Sequence, residues 1–526
     1  MKRFKIDYIR ILVIAGLILF LVAIEFAPRI LRRLYIYPGV TNENFAKLVV
    51  PADENEGIFY DIDSFLGKDN VIYLFVPTRA DISKMVYYAV DSKGNYLERY
   101  VNDFTQFPSA VLDYPVVCMN SNLPTMEINI YDEHGSMEDV LNDEKHETKA
   151  FGEVTLSVRD DEAIKYGWDP IFKSNDNRTM NKFYGSASVK GRGNLSWLDE
   201  KKSLLLELES DVSLLGMAHG EKWVLLANSV DHTLLRNEIM LNLAKDCNAK
   251  YVPDIQAVDL FVDGEYYGNY SLCSKVEISE SRVNIDEDDY FYRWGLPTGN
   301  YREVESTSLW NDDNLVELIY PKKSDKENEA FDIAQRMIAE IEDTKSSDYL
   351  NNIDLDSFIR YYWVQEISKN TDAANRSLYS CWDNSEQKMK LIAPWDFDRT
   401  VGTVEPWNKD LDYDYPTSYT VREDEWYKPF FEHKEVSEAA QRIYQEEISE
   451  ALGKAVSEIP GRIERSRQSA TMNFIRWDVL NKPYEDYYNV IEKYMGDRSY
   501  ESEITWLYEW MRQRKEWLDS ENGVTQ

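Results

Sequence analysis

The chain has 526 residues, 43% hydrophobic and 13% aromatic, enough apolar surface for two or three domains with a large core. Its 59 basic and 94 acidic side chains give a net charge of −35, which argues against nucleic acid as a partner because most of the surface would repel a phosphate backbone. A local basic cleft for a small phosphate ligand stays open, since summed charge says nothing about one pocket.

In chain order, Lys2, Arg3, Lys5 and Arg10 precede the apolar run ILVIAGLILFLVAIEFA, which is about one bilayer core in length. Glu25 lies near its far end, and Arg29, Arg32 and Arg33 follow. Residues 1–35 are expected to form an uncleaved signal anchor, a transmembrane helix that makes this a single-pass cell-membrane protein with its bulk extracytoplasmic. A cleaved signal peptide is the runner-up, although no small-x-small site follows the run. Cys118, Cys247, Cys273 and Cys381 form no CxxC pair, which leaves two disulfides or four buried thiols open.

Residues 41–115 read as a small β-sandwich-like module, with VIYLFVP, KMVYYAVD and YLERYVND as strands and the turn DSKGN between the last two. TMEINIYDEHGSM and FGEVTLSVRD continue the β-rich text. From Tyr184, YGSASVKGRGNLSWLDEKKSLLLELE brackets a glycine loop with two extended segments, a hairpin pattern. Gly191 and Gly193 would let the backbone turn and expose its amides, while Arg192, Asn194 and Ser196 offer polar contacts and Lys201 and Lys202 open the return strand. Such a loop suits an anion. It is not a dinucleotide fingerprint, because Ser196 takes the place of the third glycine and no long helix follows.

EKWVLLANSVDHTLLRNEIMLNLAKD reads as strand, loop and a helix begun near Asp231. VDLFVDGEYYGNYSLCSKVE is a hairpin turning on Asp263-Gly264. Residues 285–330 read as an acidic linker to a helical half. There FDIAQRMIAEIED and DLDSFIRYYWVQEISKN carry helix-period apolar positions, with Leu355, Phe358, Ile359, Tyr362 and Val364 near one face of the second. That helix leads into NTDAANRSLY, then a hairpin and MKLIAPWDFD, and the chain closes in helices rich in tryptophan and tyrosine.

The hairpin returns the chain to its starting end, so Asp372 and Asp396 come together. Hard oxygen ligands suit Mg²⁺, which takes one or two carboxylates plus substrate phosphates. Phosphoryl transfer needs cations and a glycine loop for the phosphates, one acid for the nucleophile and another for the metal. Candidates for each part are present, the basic ones in the first half and the acidic ones in the second.

The blocks KGRGNLSW with KKSLLLEL, WVLLANSVDHTLLRNEI, VDLFVDGEYYGNYSL, NTDAANRSLY and PWDFDRTVG, in this order, resemble the CotH kinases, the spore coat protein H group of atypical protein kinases. The resemblance covers residues 118 to 515 and implies an α+β, bilobed atypical protein-kinase-like fold behind the transmembrane helix and the β module. Its β-rich N-lobe would run to about 285 and its mostly helical C-lobe would begin at about 330. It also implies ATP with Mg²⁺ or Mn²⁺ as cofactors, and serine residues of a cell-surface or spore-coat protein as substrate. Carried over by position, Lys202 would contact the nucleotide phosphates, Asp372 would be the catalytic acid and Asp396 the metal ligand. Lys201 competes with Lys202 for its role, and Arg192, Gly193, Asn194, Ser196 and Lys275 complete the nucleotide set. Asp398 and Asn375 are further metal candidates, although Asn375 could equally cap a turn. The family usually has a Glu-Lys pair after the second hairpin, whereas here Ser274 precedes Lys275 and the acid moves to Glu277.

A glycosidase would also use paired carboxylates but would leave the basic glycine loop unexplained. A GxSxG elbow and an HExxH pair are both missing. The competing reading is a non-catalytic surface or spore-envelope scaffold with a kinase-like shape.

Overall fold

The structure, a computed structural model, describes residues 37–53, 57–102, 109–131, 133, 135–159, 162, 183–193, 195–295, 297, 299–309, 314–322, 325–374, 376–403, 414–480 and 495–524. Eight short strands come first: β1 to β8 at Lys47–Val50, Ile62–Asp63, Phe65–Leu66, Ile72–Phe75, Val86–Val90, Tyr96–Val101, Ser109–Val111 and Tyr114–Met119. They form two four-stranded sheets, ordered β2-β1-β5-β6 and β3-β4-β8-β7. Alternating Leu48, Val50, Leu74 and Ala89 close a shared core between them.

Seven further strands follow: β9 to β15 at Thr125–Ile130, Lys149–Ser157, Phe183–Arg192, Ser203–Val212, Gly220–Leu226, Ile255–Val262 and Glu265–Ser274. Strands β9 to β13 pair antiparallel in sequence order, β13 then pairs antiparallel with β15 and β15 with β14, and the turn of the last hairpin has positive φ at both Asp263 (49°) and Gly264 (81°), the geometry of a type I′ turn. The sheet then closes on itself, because β14 pairs parallel with β9, Asp259 opposite Thr125 and Val262 opposite Ile128. Met126, Val154, Val189, Leu206 and Leu260 fill the barrel interior. Helix α1 (Met137–Asn142) lies between β9 and β10, and α2 (Arg236–Asp246) between β13 and β14.

The text from 285 to 330, expected as a linker, contains strands β16 to β18 (Tyr290–Trp294, Tyr301–Glu303, Leu315–Tyr320). With β19 (Leu378–Asp383) and β20 (Lys388–Ile392) they make a five-stranded sheet ordered β17-β18-β16-β19-β20. Exposed acids such as Glu287, Asp288 and Glu303 hid it, although the strands bury Tyr292, Trp294 and Val316. Helices α3 (Glu327–Glu342), α4 (Tyr349–Asn352) and α5 (Leu355–Ser368) pack against this sheet. Helix α5 is not amphipathic as expected: Ser357 to Ser368 are all buried, and its Glu366 is paired at 2.8 Å with a fully buried Arg514. The chain ends in α6 (Tyr427–Glu432), α7 (Lys434–Ile443), α8 (Ser449–Arg476) and α9 (Tyr500–Glu521). Helix α8 crosses from the helical core, at Ile459, to the sandwich core, at Met472, and ties the regions together.

The expected fold is therefore corrected. The described chain is α+β with sheets, helices and a closed seven-stranded barrel. Among the described residues no helix is long and apolar enough to cross a membrane, so the transmembrane helix and the single-pass membrane localisation do not stand as part of this fold. Residues 1–36, on which that expectation fell, lie outside the described part. All four cysteines are buried free thiols, which decides between the two readings left open.

Candidate active site between the barrel and the helical region

Alternation on β11 builds one wall. Ala187 and Val189 point into the barrel core, so Ser188, Lys190 and Arg192 face outward, and Arg192 at the strand's end reaches Trp395 of the helical region. Lys275, just past β15, joins them. Burial lowers the pKa of its ammonium, Glu277 opposes this, and the nearby charges of Lys222, Arg192 and Lys190 lower it further. In a chain of net charge −35, four cations thus gather on one sheet face. Glu277, the displaced acid, is held by Arg282 at 2.6 Å.

The second wall consists of two turns. Helix α5 ends on Lys369 in the left-handed conformation (φ 53°), and the Asn370 side-chain oxygen accepts the Asp372 amide at 3.0 Å. The Asp372 carboxylate, 36% exposed, lies 3.8 Å from Arg376. After the β19–β20 hairpin the chain reaches Trp395 and then Asp396, which is exposed and also left-handed (φ 72°). Ser377 donates to Asp396 at 2.9 Å and so joins the two turns. The second turn is fixed from beneath by α2. Asn237 Oδ1 accepts the Phe397 amide at 2.9 Å, and Arg236 Nε donates to Thr400 O at 3.0 Å while pairing with buried Asp231 at 2.6 Å. These contacts explain why DHTLLRNEI and PWDFDRT occur in one chain: the first supports the second.

The walls meet at three places. The Arg192 guanidinium stands 5.3 Å from the centre of the Trp395 ring. Burial raises the pKa of the Tyr379 phenol, Arg293 and Arg192 oppose the rise, and Asp396 adds to it, so the phenol feels charges from both sides. Burial likewise raises the pKa of Asp199, while Ser229, Arg399 and Lys202 lower it, which brings the loop after β11 within electrostatic reach of the Asp396 turn.

The loop itself departs from its expected form. Gly191 is within β11, opposite Leu204, and a Cβ there would stand 2.4 Å from the Trp197 ring, so this glycine seats the tryptophan and does not form a turn. Gly193 does need its freedom, at φ 127°. Ser196 packs beneath it. Lys202 bends back onto its own loop, donating to Trp197 O and to Asp199 O (3.2 Å), with the ammonium 4.6 Å from the Trp197 ring centre. Lys201, expected as a nucleotide ligand, is instead enclosed away from the cleft. It is 1% exposed, and its three donors go to Ala227 O, Asn269 O and Asn473 Oδ1. Strand alternation could not choose between the two lysines because β12 begins only at Ser203.

Arg192 and Lys275 therefore lie on the cationic sheet face, Gly193 and Ser196 in the loop after β11, and Asp372 and Asp396 in the two turns, with Asp398 half-buried in the same turn as Asp396. Asn194 and Asn375 lie outside the described residues. Sequence reading missed Lys190 and Lys222. Lys190 was accessible to it, being two residues from Arg192 on the same strand face.

Among the described residues no group of three or more His, Cys, Asp or Glu could hold a metal ion, so the acids do not form a protein cage. Their chemistry fits an ion that arrives coordinated by phosphate oxygens and needs only one or two carboxylates. Asp396 is exposed and Asp372 partly so.

A basic sheet face set against two carboxylate turns is the layout of a kinase-like protein. The CotH kinase protein family matches residues 189–518, and the chain belongs to that family. The matched span begins on the cation-bearing strand β11 and ends in α9, so it takes in both walls. No curated protein matches the chain.

Proposed function

We propose that the cleft transfers the γ-phosphate of ATP to serine hydroxyls of a cell-surface or spore-coat protein. The observation that carries this reading is the junction of Arg192, Trp395 and Asp396, where the cationic sheet face meets the carboxylate turns. In this reading Arg192, Lys190, Lys222 and Lys275 hold the polyphosphate by charge, with Arg192 kept in place by the Trp395 ring. Asp372, braced by Arg376, orients the serine hydroxyl and accepts its proton as that oxygen attacks the γ-phosphorus, whose bond to the bridging oxygen breaks and releases ADP. Asp396 would hold Mg²⁺ or Mn²⁺, which when bound supplies positive charge against the phosphate oxygens. Lys202 serves by keeping its loop closed over Asp199.

The test is transfer of label from γ-labelled ATP, with Mg²⁺ or Mn²⁺, to the protein itself or to an added protein. Labelling lost in Asp396→Ala and Asp372→Ala supports the proposal, and equal labelling in both variants and the parent refutes it. One observation favours a scaffold instead: Lys201 and Lys202 are both engaged by internal partners. Calorimetry separates the readings, since a scaffold gives no heat with ATP and metal.

A further inference from the structure

A cavity of about 430 Å³ opens at the other side of the barrel, where the sandwich abuts it, between Tyr60, Asp61, Asn129, Ser136 and Asp263. Strand register determines what surrounds it. Asn129 is opposite Glu153, which is opposite Ser186, and Glu127 is opposite Thr155, which is opposite Tyr184. Their neighbours Ile128, Val154 and Ala187 fill the barrel core, so all of these side chains face outward. The Tyr60 phenol lies 3.4 Å from Glu153, and the Tyr131 and Tyr184 phenols stand near the same carboxylate, so three phenols converge on one acid.

Glu127 lies beside them on the sandwich side, 2% exposed, and neither of its carboxyl oxygens has a hydrogen-bond partner. The Phe59 amide approaches it without reaching hydrogen-bond geometry. The hydroxyls of Thr155 and Ser157 next to it are equally unmatched. Burial pushes Glu127 up to about 8. A buried acid without donors carries a free-energy cost that an incoming donor relieves. The Asp61 and Asp263 carboxylates in the cavity and Glu153 beside Tyr60 are chemistry suited to a cation.

The geometry points to a binding site for the lysine or arginine side chain of a partner protein, its charged head in the cavity beside Tyr60, Asp61 and Asp263, with Glu153 and Glu127 behind Tyr60. A protein fits better than a free amine because the patch continues past the cavity onto Phe151 and Tyr184, apolar rings that are 46% and 58% exposed. Its position also matters. The outward side chains of β11 run from Tyr184 here to Arg192 in the cleft, a distance of about 26 Å along a strand rising ~3.3 Å per residue. A protein held here by a basic segment has its neighbouring segments within reach of the cleft.

The full chain is titrated with fluorescent octalysine, octaarginine and octaglutamate peptides at about 0.15 M salt, where diffuse attraction is screened. The site predicts saturable binding of the two cationic peptides, weakened ~10-fold by Glu153→Gln or Tyr60→Ala. It also predicts no change in Glu464→Gln, an acid 81% exposed on α8. Equal weakening in all three variants would mean diffuse charge attraction and overturn the proposal, as would the absence of saturation. Displacement of octalysine by equimolar Ca²⁺ would overturn it too, by making the cavity a metal site. Should Tyr60→Ala fail to fold, Glu153→Gln with its thermal midpoint measured decides the matter.

Discussion

The barrel presents two outer faces of opposite character. Toward the helical region it carries Lys190, Arg192, Lys222 and Lys275, and toward the sandwich it carries Glu127, Glu153 and a ring of tyrosines. Strand β11 contributes to both, acidic company at Tyr184 and basic at Arg192. A closed sheet makes this arrangement possible. Its core uses only the inward half of each strand, so the outward half is free to differ from end to end. The net charge of −35 conceals a local cationic face that suits a polyphosphate.

The sharpest way to break the comparison is on the cleft side. Asp396→Ala should lower phosphate transfer ~10³-fold, the loss of about 4 kcal/mol of transition-state stabilisation, with circular dichroism unchanged. A residual rate within threefold of the parent would remove Asp396 from the chemistry.

Lys201 and Lys275 provide the next contrast, a structural cation against a cleft cation. Burial lowers the Lys201 pKa well below the usual lysine range, with Asp259 opposing, and its ammonium bridges the barrel to Asn473 of α8. Lys201→Met should cost ~3 kcal/mol in urea unfolding, because it leaves buried acceptors unmatched. A loss under 1 kcal/mol would show that those acceptors find other donors.

On the sandwich side, Glu127 makes stability depend on pH. Its pKa is raised by burial to about 8 in the folded chain from 4.5, so between these values the folded state keeps a proton that the unfolded state has released. Its contribution is fully present below 4.5 and is lost as pH rises toward 8. Glu127→Gln, neutral throughout, should flatten the stability profile relative to the parent by ~2 kcal/mol between about pH 5 and 7. Parallel profiles would show that Glu127 is ionised in the folded protein.

The smallest effect is expected from Lys275→Met, a ~10-fold rise in KM for ATP with kcat nearly unchanged, worth about 1.4 kcal/mol of binding. A fall in kcat with constant KM would move Lys275 from binding to the transition state.

The sequence by itself determined whatever neighbours in the chain decide. Asp263-Gly264 dictated its turn, alternating apolar residues marked the barrel strands, and the ordered blocks around Arg192, Asp372 and Asp396 marked the cleft. Tertiary structure decided what depends on distant partners. Barrel closure rests on β9 meeting β14 across more than a hundred residues, and nothing in either strand announces the other. Lys201 became structural because Asn473 of a late helix approached it, and Gly191 became a tryptophan seat because Trp197 folded back. The strands within the acidic 285–330 stretch pair with one another and join the larger sheet only where β16 meets β19. Local turn chemistry and side-chain period are written in adjacent residues, whereas pairing, register and the burial of a charge are properties of surfaces that exist only after folding.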